Sequence, residues 1–258
     1  MCFDPHDHPP IPEIAGGAFA HRTFELRSTD GTPVRAFEAR AAAAPSRAAM
    51  LILPDARGLH PYYEELALRF AEAGIDALAI DYFARTAGTG ERPDDFAYME
   101  HLAQTRWVHL RADVSAAAMA LDQAAPGRAL FSIGFCYGGR LSFLTATWSD
   151  PRFTGSVGFY GVPVGPHRVG DTPAPAELAG EMHGAALGLF GGADPSIPPE
   201  SIVGFERALD AASVPHELHA YPGAPHSFFD RKAVEFAAES ADAWDRVLRF
   251  VAERTPAG

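Results

Sequence analysis

Cys136 is the residue whose surroundings most favour chemistry in this sequence. It lies in Gly134-Phe-Cys-Tyr-Gly138, with a glycine two positions before it and another two positions after it. This is the G-x-Nuc-x-G pattern of a nucleophile at a sharp strand-to-helix corner, with cysteine where serine is more common. The corner residue is held in a strained backbone conformation. A side chain at either glycine would collide with the neighbouring strand or helix.

The same corner favours a reactive sulfur. We expect the amide of Tyr137 to point, with the N-terminus of the following helix, toward the sulfur of Cys136. The positive end of the helix dipole there stabilises a thiolate and an oxyanion alike. This arrangement predicts acyl chemistry. The alternative is that Cys136 is a small buried apolar residue, as free cysteines often are, but the glycine spacing and the partners below favour a nucleophile.

Asp194 and His226 each follow a later predicted strand. The order nucleophile, acid, histidine along the chain is one of the orders in which catalytic triads occur. In such a triad the histidine takes the thiol proton and returns it to the leaving group, while a buried aspartate orients the imidazole. Asp194 could instead be a turn or capping residue, and His226 a surface histidine. All three types, in this order at strand ends, predict a Cys136, Asp194 and His226 triad.

Strands that alternate with helices must position these residues. Segments 23–27 and 34–38 alternate in polarity around a turn, which predicts an antiparallel hairpin. Further strands are predicted at 50–53, 77–80, 129–133, 155–160, 185–190 and 216–221, and helices at 62–73, 108–125, after Cys136, at 200–212 and at 233–253. The pattern predicts an α/β fold with a mostly parallel eight-stranded sheet, an antiparallel N-terminal hairpin and helices on both faces.

Ligands of such sheets bind beyond the carboxyl ends of the strands. Cys136, Asp194 and His226 all follow predicted strands, so they are expected at one edge of the sheet. The segment 161–184 is rich in proline and glycine. It is predicted to be a long loop in a position to overhang that edge.

Composition limits the partners and the compartment. The chain has 258 residues, 47% of them apolar, and a formal net charge of -12. One domain of this size can bury its own core, and the charge argues against nucleic acid and an anionic membrane surface as partners. Two cysteines offer no disulfide framework, and neither a signal peptide nor a membrane-spanning run is expected. We therefore expect a cytoplasmic protein, monomeric or homodimeric.

The first residues are interpreted separately from the domain at 21–258. Cys2, His6 and His8 are metal-ligand types, but a metal site would need a fourth ligand and a rigid frame. Prolines follow them closely, so residues 1–20 are predicted to be an extended N-terminal arm, and no metal is expected.

The sequence resembles the dienelactone hydrolase family, the carboxymethylenebutenolidase-like branch of the α/β hydrolases. The resemblance spans roughly residues 23–251. It rests on four motifs: Gly134-Phe-Cys-Tyr-Gly-Gly139, Gly191-Gly-Ala-Asp194, Gly223-Ala-Pro-His-Ser-Phe228 and Leu53-Pro-Asp-Ala-Arg-Gly58. It implies an α/β-hydrolase fold with Cys136 as nucleophile, His226 as base and Asp194 as acid.

The resemblance also implies supporting roles beside the triad. The backbone amides of Ala56 and Tyr137 would form the oxyanion hole. Family members carry an acidic residue before the first of these amides that interacts with the resting thiol. Here that residue is Asp55, which is shorter than the expected glutamate.

The substrate contacts implied by the resemblance match less completely. Arg85 corresponds to an arginine that binds a substrate carboxylate, although a surface salt bridge is an equal alternative. The second arginine, expected four positions after the histidine, is replaced by Asp230. Arg57 is a candidate for supplying the missing charge. Tyr160 and Phe228 are candidates for lining an acyl pocket, or are plain core residues.

These observations predict a hydrolase of small esters or lactones that acts through an acyl-thioester intermediate, without metal or cofactor. Its partner would be a small-molecule ester or lactone. Two alternatives remain. One is an acyltransferase or thioesterase that uses the same triad. The other is a non-catalytic binding protein with an α/β-hydrolase fold.

Overall fold

Eight strands form one sheet in the computed structural model, which describes residues 7–13, 19–42, 46–149 and 152–256. The strands are β1 (Phe19–Arg27), β2 (Pro33–Ala41), β3 (Ala48–Leu53), β4 (Asp76–Ile80), β5 (Ala129–Phe135), β6 (Gly155–Phe159), β7 (Ala185–Gly191) and β8 (His216–Tyr221). The α-helices are α1 (Pro61–Glu72), α2 (Ala84–Ala87), α3 (Tyr98–Leu102), α4 (Trp107–Ala124), α5 (Tyr137–Thr145), α6 (Pro199–Ala211) and α7 (Ala237–Arg254). A 3-10 helix spans Pro175–Glu181.

The sheet has the order β1-β2-β4-β3-β5-β6-β7-β8. The β1 and β2 strands pair antiparallel, β2 is antiparallel to β4, and every pair from β4 to β8 is parallel. This confirms the predicted eight-stranded, mostly parallel sheet. The register places Leu53 beside Gly134, Phe135 beside Phe159, and Phe159 beside Leu189. The carboxyl ends of the central strands therefore meet at one edge.

Helices cover both faces of the sheet. On β3, Met50 and Ile52 belong to one buried apolar cluster, while Leu51 and Leu53 belong to another, because successive side chains of a strand point to opposite faces. The first cluster contains residues of α1 and α7, and the second contains residues of α4. Such continuously apolar strands are typical of parallel strands that are buried on both faces.

Three local features differ from the sequence prediction. The last helix begins at Ala237 instead of residue 233, because the amides of Asp230 and Lys232 both bond to the carbonyl of Ser227 and hold the chain in turns. The segment 161–184 is not all loop, since it contains the 3-10 helix. The short helices α2 and α3 were not predicted, because four or five residues are too few to display helical periodicity.

The N-terminal residues 7–13 lie against α1. The ring nitrogen Nδ1 of His8 is 2.8 Å from a carboxylate oxygen of Glu65, and Glu13 pairs with Arg69 at 2.9 Å. Cys2 and His6 lie outside the described residues, and the division into an arm and one domain stays a prediction. Among the described residues, none of the helices has the length and apolarity that a membrane crossing requires.

Candidate active site

Cys136 lies at the corner between β5 and α5. Its backbone has φ 54° and ψ -110°, a conformation that is strained for any residue with a side chain. A Cβ at Gly134 would overlap the carbonyl of Gly138, and a Cβ at Gly138 would overlap the carbonyl of Leu53 at the end of β3. Both glycines are therefore required by close backbone contacts, and the corner has the geometry that the sequence pattern predicts.

Cys136 is partly exposed and forms no disulfide with any residue that the structure describes. The amide of Cys136 bonds to the carbonyl of Phe159 at 3.0 Å, which fixes the corner to β6. Tyr137 is the first residue of α5, so its amide is one of the N–H groups that have no carbonyl partner within the helix. This amide and the helix dipole favour negative charge beside the sulfur.

Asp194 and His226 meet at the same edge of the sheet. The Nδ1 atom of His226 is 2.5 Å from Oδ2 of Asp194, whose side chain is fully buried. A carboxylate accepts a hydrogen bond, so Nδ1 donates, and proton exchange with a nucleophile falls to the other ring nitrogen, Nε2. The other carboxylate oxygen of Asp194 accepts the amide of Ser196 at 2.8 Å. The aspartate is thus fixed from two sides and orients the imidazole.

Cys136 and His226 line one cavity of about 520 Å³. The complete set of lining residues is Asp55, Ala56, Arg57, Tyr98, Met99, Leu102, Cys136, Tyr160, Val162, Val164, Pro166, His167, Arg168, Val169, Ser196, Ser201 and His226. The volume lies within the range of small-molecule sites. The structure therefore brings the predicted nucleophile and base, and the residue Ala56 whose amide was predicted for the oxyanion hole, to one cavity.

Asp55 is a buried carboxyl group in this cavity. Its Oδ1 accepts the amide of Arg57 at 2.8 Å, whereas its Oδ2 is buried and has no hydrogen-bond partner in the described part of the chain. Burial raises the pKa of Asp55 to about 8, and the nearby carboxyl of Asp230 adds to this effect. At neutral pH the group is thus mainly protonated and can donate a hydrogen bond.

Tyr160 connects His226 with a second buried carboxyl group. Its hydroxyl donates to Oδ2 of Asp230 at 2.6 Å, and its ring centroid is 4.8 Å from that of His226. Tyr160 itself adopts φ 38°, which is uncommon for a bulky residue. Burial raises the pKa of Asp230 to about 7. The sequence marked Asp230 only as a missing arginine, and its contact with Tyr160 was not predicted.

Two of the predicted substrate contacts lie away from this cavity. Arg85 does not line it, because the guanidinium is bound to Asp113 at 2.6 Å and to Asp30 at 2.7 Å. The carboxylate of Asp113 is buried, so it needs this cation. Phe228 is fully buried and packs against Tyr221, which makes it a core residue. Tyr160 and Arg57 do line the cavity.

Arg57 and the long loop supply much of the cavity wall. The guanidinium carbon of Arg57 is 5.3 Å from the centroid of the Tyr98 ring, a cation–π distance. The loop contributes residues between Val162 and Val169, as expected for a segment that overhangs the site. Met99, which also lines the cavity, lies on α3 and was not predicted, because that short helix was not predicted.

Most of the chain matches a known protein family. The model of the "Dienelactone hydrolase family" matches residues 34–255. The chain belongs to the dienelactone hydrolase family. The matched range begins in β2 and ends just after α7, so it includes the whole cavity.

Relatives of this dienelactone hydrolase family member support the assignment along the chain. A "Putative carboxymethylenebutenolidase" of Salmonella typhimurium is 30% identical over 211 residues, which cover 79% of this chain and 76% of the relative. A "Carboxymethylenebutenolidase" of Rhodococcus opacus is 28% identical over 255 residues, which cover 97% of this chain and 96% of the relative.

Solved structures of similar proteins share the fold of this chain. A "Putative Dienelactone Hydrolase" from Klebsiella pneumoniae superposes with a TM-score of 0.78 at 27% identity, covering 91% of this chain and 99% of that one. A dienelactone hydrolase-like promiscuous phosphotriesterase from metagenomic libraries has a TM-score of 0.74 at 22% identity, which shows the fold alone. The fold is the α/β-hydrolase fold, and the chain is a dienelactone hydrolase-like carboxylic ester hydrolase.

Proposed function

We propose that the protein hydrolyses small carboxylic esters or lactones through an acyl-thioester on Cys136. The observation that carries this proposal is the 2.5 Å contact between His226 and Asp194 at a cavity that also contains the strained cysteine. A nucleophile, a base and a group that orients the base are the parts that covalent acyl transfer needs.

The reaction proceeds in two steps. His226 takes the proton of the Cys136 thiol, and the thiolate attacks the carbonyl carbon to form a tetrahedral oxyanion. The amides of Tyr137 and Ala56 stabilise that oxyanion. When the ester C–O bond breaks, His226 gives the proton to the leaving alkoxide. Water then attacks the thioester while His226 accepts the proton of that water. The C–S bond breaks, the carboxylic acid leaves, and His226 returns the proton to the Cys136 sulfur.

Asp55 acts on the resting sulfur in this proposal. Its buried carboxyl is mainly protonated at neutral pH, because burial raises its pKa to about 8. A protonated carboxyl group can donate to a thiolate, whereas an ionised one would repel it. Asp55 thus affects the fraction of Cys136 that is present as the reactive thiolate.

The cavity favours a small substrate with an apolar part. About 520 Å³ accommodates a short ester or a lactone, and Met99, Leu102, Val162 and Val164 supply apolar contacts. Arg57 supplies positive charge for a substrate carboxylate. The net charge of -12 does not favour nucleic acid or an anionic membrane as partner. A cytoplasmic location is part of the proposal, since two cysteines provide no disulfide framework.

The test compares the wild type with Cys136→Ala on p-nitrophenyl butyrate and on a dienelactone. If the wild type hydrolyses both substrates and Cys136→Ala hydrolyses neither, the result supports the mechanism and shows that Asp230 does not exclude the anionic lactone. Ester cleavage alone supports the mechanism and excludes dienelactone as substrate. Activity that survives in Cys136→Ala would overturn the choice of nucleophile.

A further inference from the structure

Arg140 is a fully buried cation four residues after Cys136. It lies in the first turn of α5, where its amide bonds to the carbonyl of Cys136 at 3.2 Å. Its guanidinium donates four hydrogen bonds: Nε to Oγ1 of Thr172 at 3.1 Å, Nη1 to the carbonyl of Val162 at 3.0 Å, and Nη2 to the carbonyls of Gly165 at 2.9 Å and Thr172 at 3.0 Å.

None of these four acceptors is a carboxylate. Burial lowers the pKa of Arg140 to about 10, so the guanidinium stays charged at neutral pH. A buried charge without an ionic partner is unfavourable unless hydrogen bonds replace the lost water. Here the carbonyls of one segment of the chain provide that replacement.

The segment that Arg140 holds is residues 161–174, which we call the wall segment. It contains neither helix nor strand, so its carbonyls need partners from elsewhere. The wall segment lines the cavity beside Cys136 with six residues: Val162, Val164, Pro166, His167, Arg168 and Val169. Its first residue packs directly on α5, because a Cβ at Gly139 would come within 3.0 Å of the Cα of Gly161.

We propose that Arg140 is a positioning residue that fixes the wall segment relative to Cys136 and thereby limits the size of the acyl or lactone group that the cavity accepts. The choice of arginine follows from geometry. A guanidinium presents five N–H donors in a planar fork, whereas a lysine ammonium presents three donors at one point. Only the fork reaches carbonyls at both ends of the wall segment at once.

The first experiment measures kcat and KM for p-nitrophenyl esters of increasing acyl length. It compares the wild type, Arg140→Lys, Arg140→Met and Thr172→Ala. In the wild type we expect kcat/KM to drop most sharply at the acyl length that no longer fits the cavity. One methylene in a fitted apolar pocket changes kcat/KM by about 10-fold, so we expect this drop to be about 10-fold smaller in Arg140→Met. We expect smaller changes in Arg140→Lys and in Thr172→Ala, which removes one of the four hydrogen bonds. The change should lie mainly in KM.

The matched control is Arg128→Met. The side chain of Arg128 is also buried, but its guanidinium is bound to Asp76 at 2.5 Å and to the carbonyl of Leu121, so it holds no residue of the wall segment. We expect this variant to lose stability without a change in chain-length preference. If Arg128→Met changed the preference as much as Arg140→Met does, the effect would be general destabilisation and the proposal would be wrong.

A second readout separates this inference from the proposed function on which it rests. The rates at which iodoacetamide and the bulkier N-benzyl iodoacetamide alkylate Cys136 report access to the sulfur without any hydrolysis. We expect the ratio of the two rates to fall by about 10-fold in Arg140→Met, and by less in Thr172→Ala, which also serves if Arg140→Met does not fold. An unchanged ratio in both variants would overturn the proposal, whether or not any ester is hydrolysed.

Discussion

Asp230→Asn should make the stability of the protein less dependent on pH. Asp230 is 4% exposed, and its carboxyl accepts hydrogen bonds from the Tyr160 hydroxyl and from the amide of Arg231. Asparagine fits the same place, since its oxygen can accept the Arg231 amide and its NH2 group can donate to the Tyr160 oxygen. The substitution thus removes the ionisation of the side chain and keeps its shape.

The size of the effect follows from the raised pKa. Burial raises the pKa of Asp230 from 3.8 to about 7, so the folded protein binds this proton more tightly than the unfolded chain does. The corresponding stability is fully present below pH 4 and is lost as pH rises through 7. By linkage, the free energy of unfolding of the wild type falls by about 3 kcal/mol between pH 5 and pH 8 on account of this group.

The assay is urea unfolding at pH 5, 6, 7 and 8, with Asp245→Asn as the control because Asp245 is exposed. We expect the difference in free energy of unfolding between Asp230→Asn and the wild type to grow in favour of the variant by about 3 kcal/mol between pH 5 and pH 8. Removal of this charge also removes one cause of the raised pKa of Asp55, so the free energy of unfolding depends still less on pH. A difference between Asp230→Asn and the wild type that is the same at pH 5 and pH 8 would refute the reasoning.

Three further substitutions test the other features of the site. Asp194→Asn should lower kcat by about 10³-fold or more, because the imidazole loses the acceptor that fixes its tautomer, and circular dichroism should show an intact fold. Gly138→Ala should destabilise the protein by about 3 kcal/mol in urea unfolding, since the added Cβ overlaps the backbone of β3. Arg85→Met should leave the KM for esters unchanged while it destabilises the fold by about 3 kcal/mol, because Asp113 is left buried without its cation. A raised KM in Arg85→Met would return Arg85 to the substrate site.

The parts of the site that could be predicted from the sequence are those with local signals. The two glycines around Cys136 are close in sequence, and the backbone contacts that require them follow from one strand-to-helix turn. Asp194 and His226 follow recognisable strands, and the carboxyl ends of parallel strands meet by construction. Hence the sheet and the strand-end residues were accessible from the residue pattern.

The parts that could not be predicted depend on distant partners. The carboxylate that holds Arg85 away from the cavity belongs to Asp113 on α4, which the residues around Arg85 do not reveal. The contact between Tyr160 and Asp230 joins residues 70 positions apart. In the sequence Arg140 is an ordinary helix residue, because its hydrogen-bond partners in the wall segment are distant along the chain. Long-range hydrogen bonds, not propensities, decide these contacts.

The most direct test of the central claim is to detect the acyl-enzyme. The wild type is mixed with p-nitrophenyl butyrate, quenched in acid within milliseconds and examined by mass spectrometry. The proposed mechanism predicts one butyryl group on the peptide that contains Cys136, removable by hydroxylamine, and none in Cys136→Ala. A butyryl group on another residue, or full hydrolysis by Cys136→Ala, would contradict it.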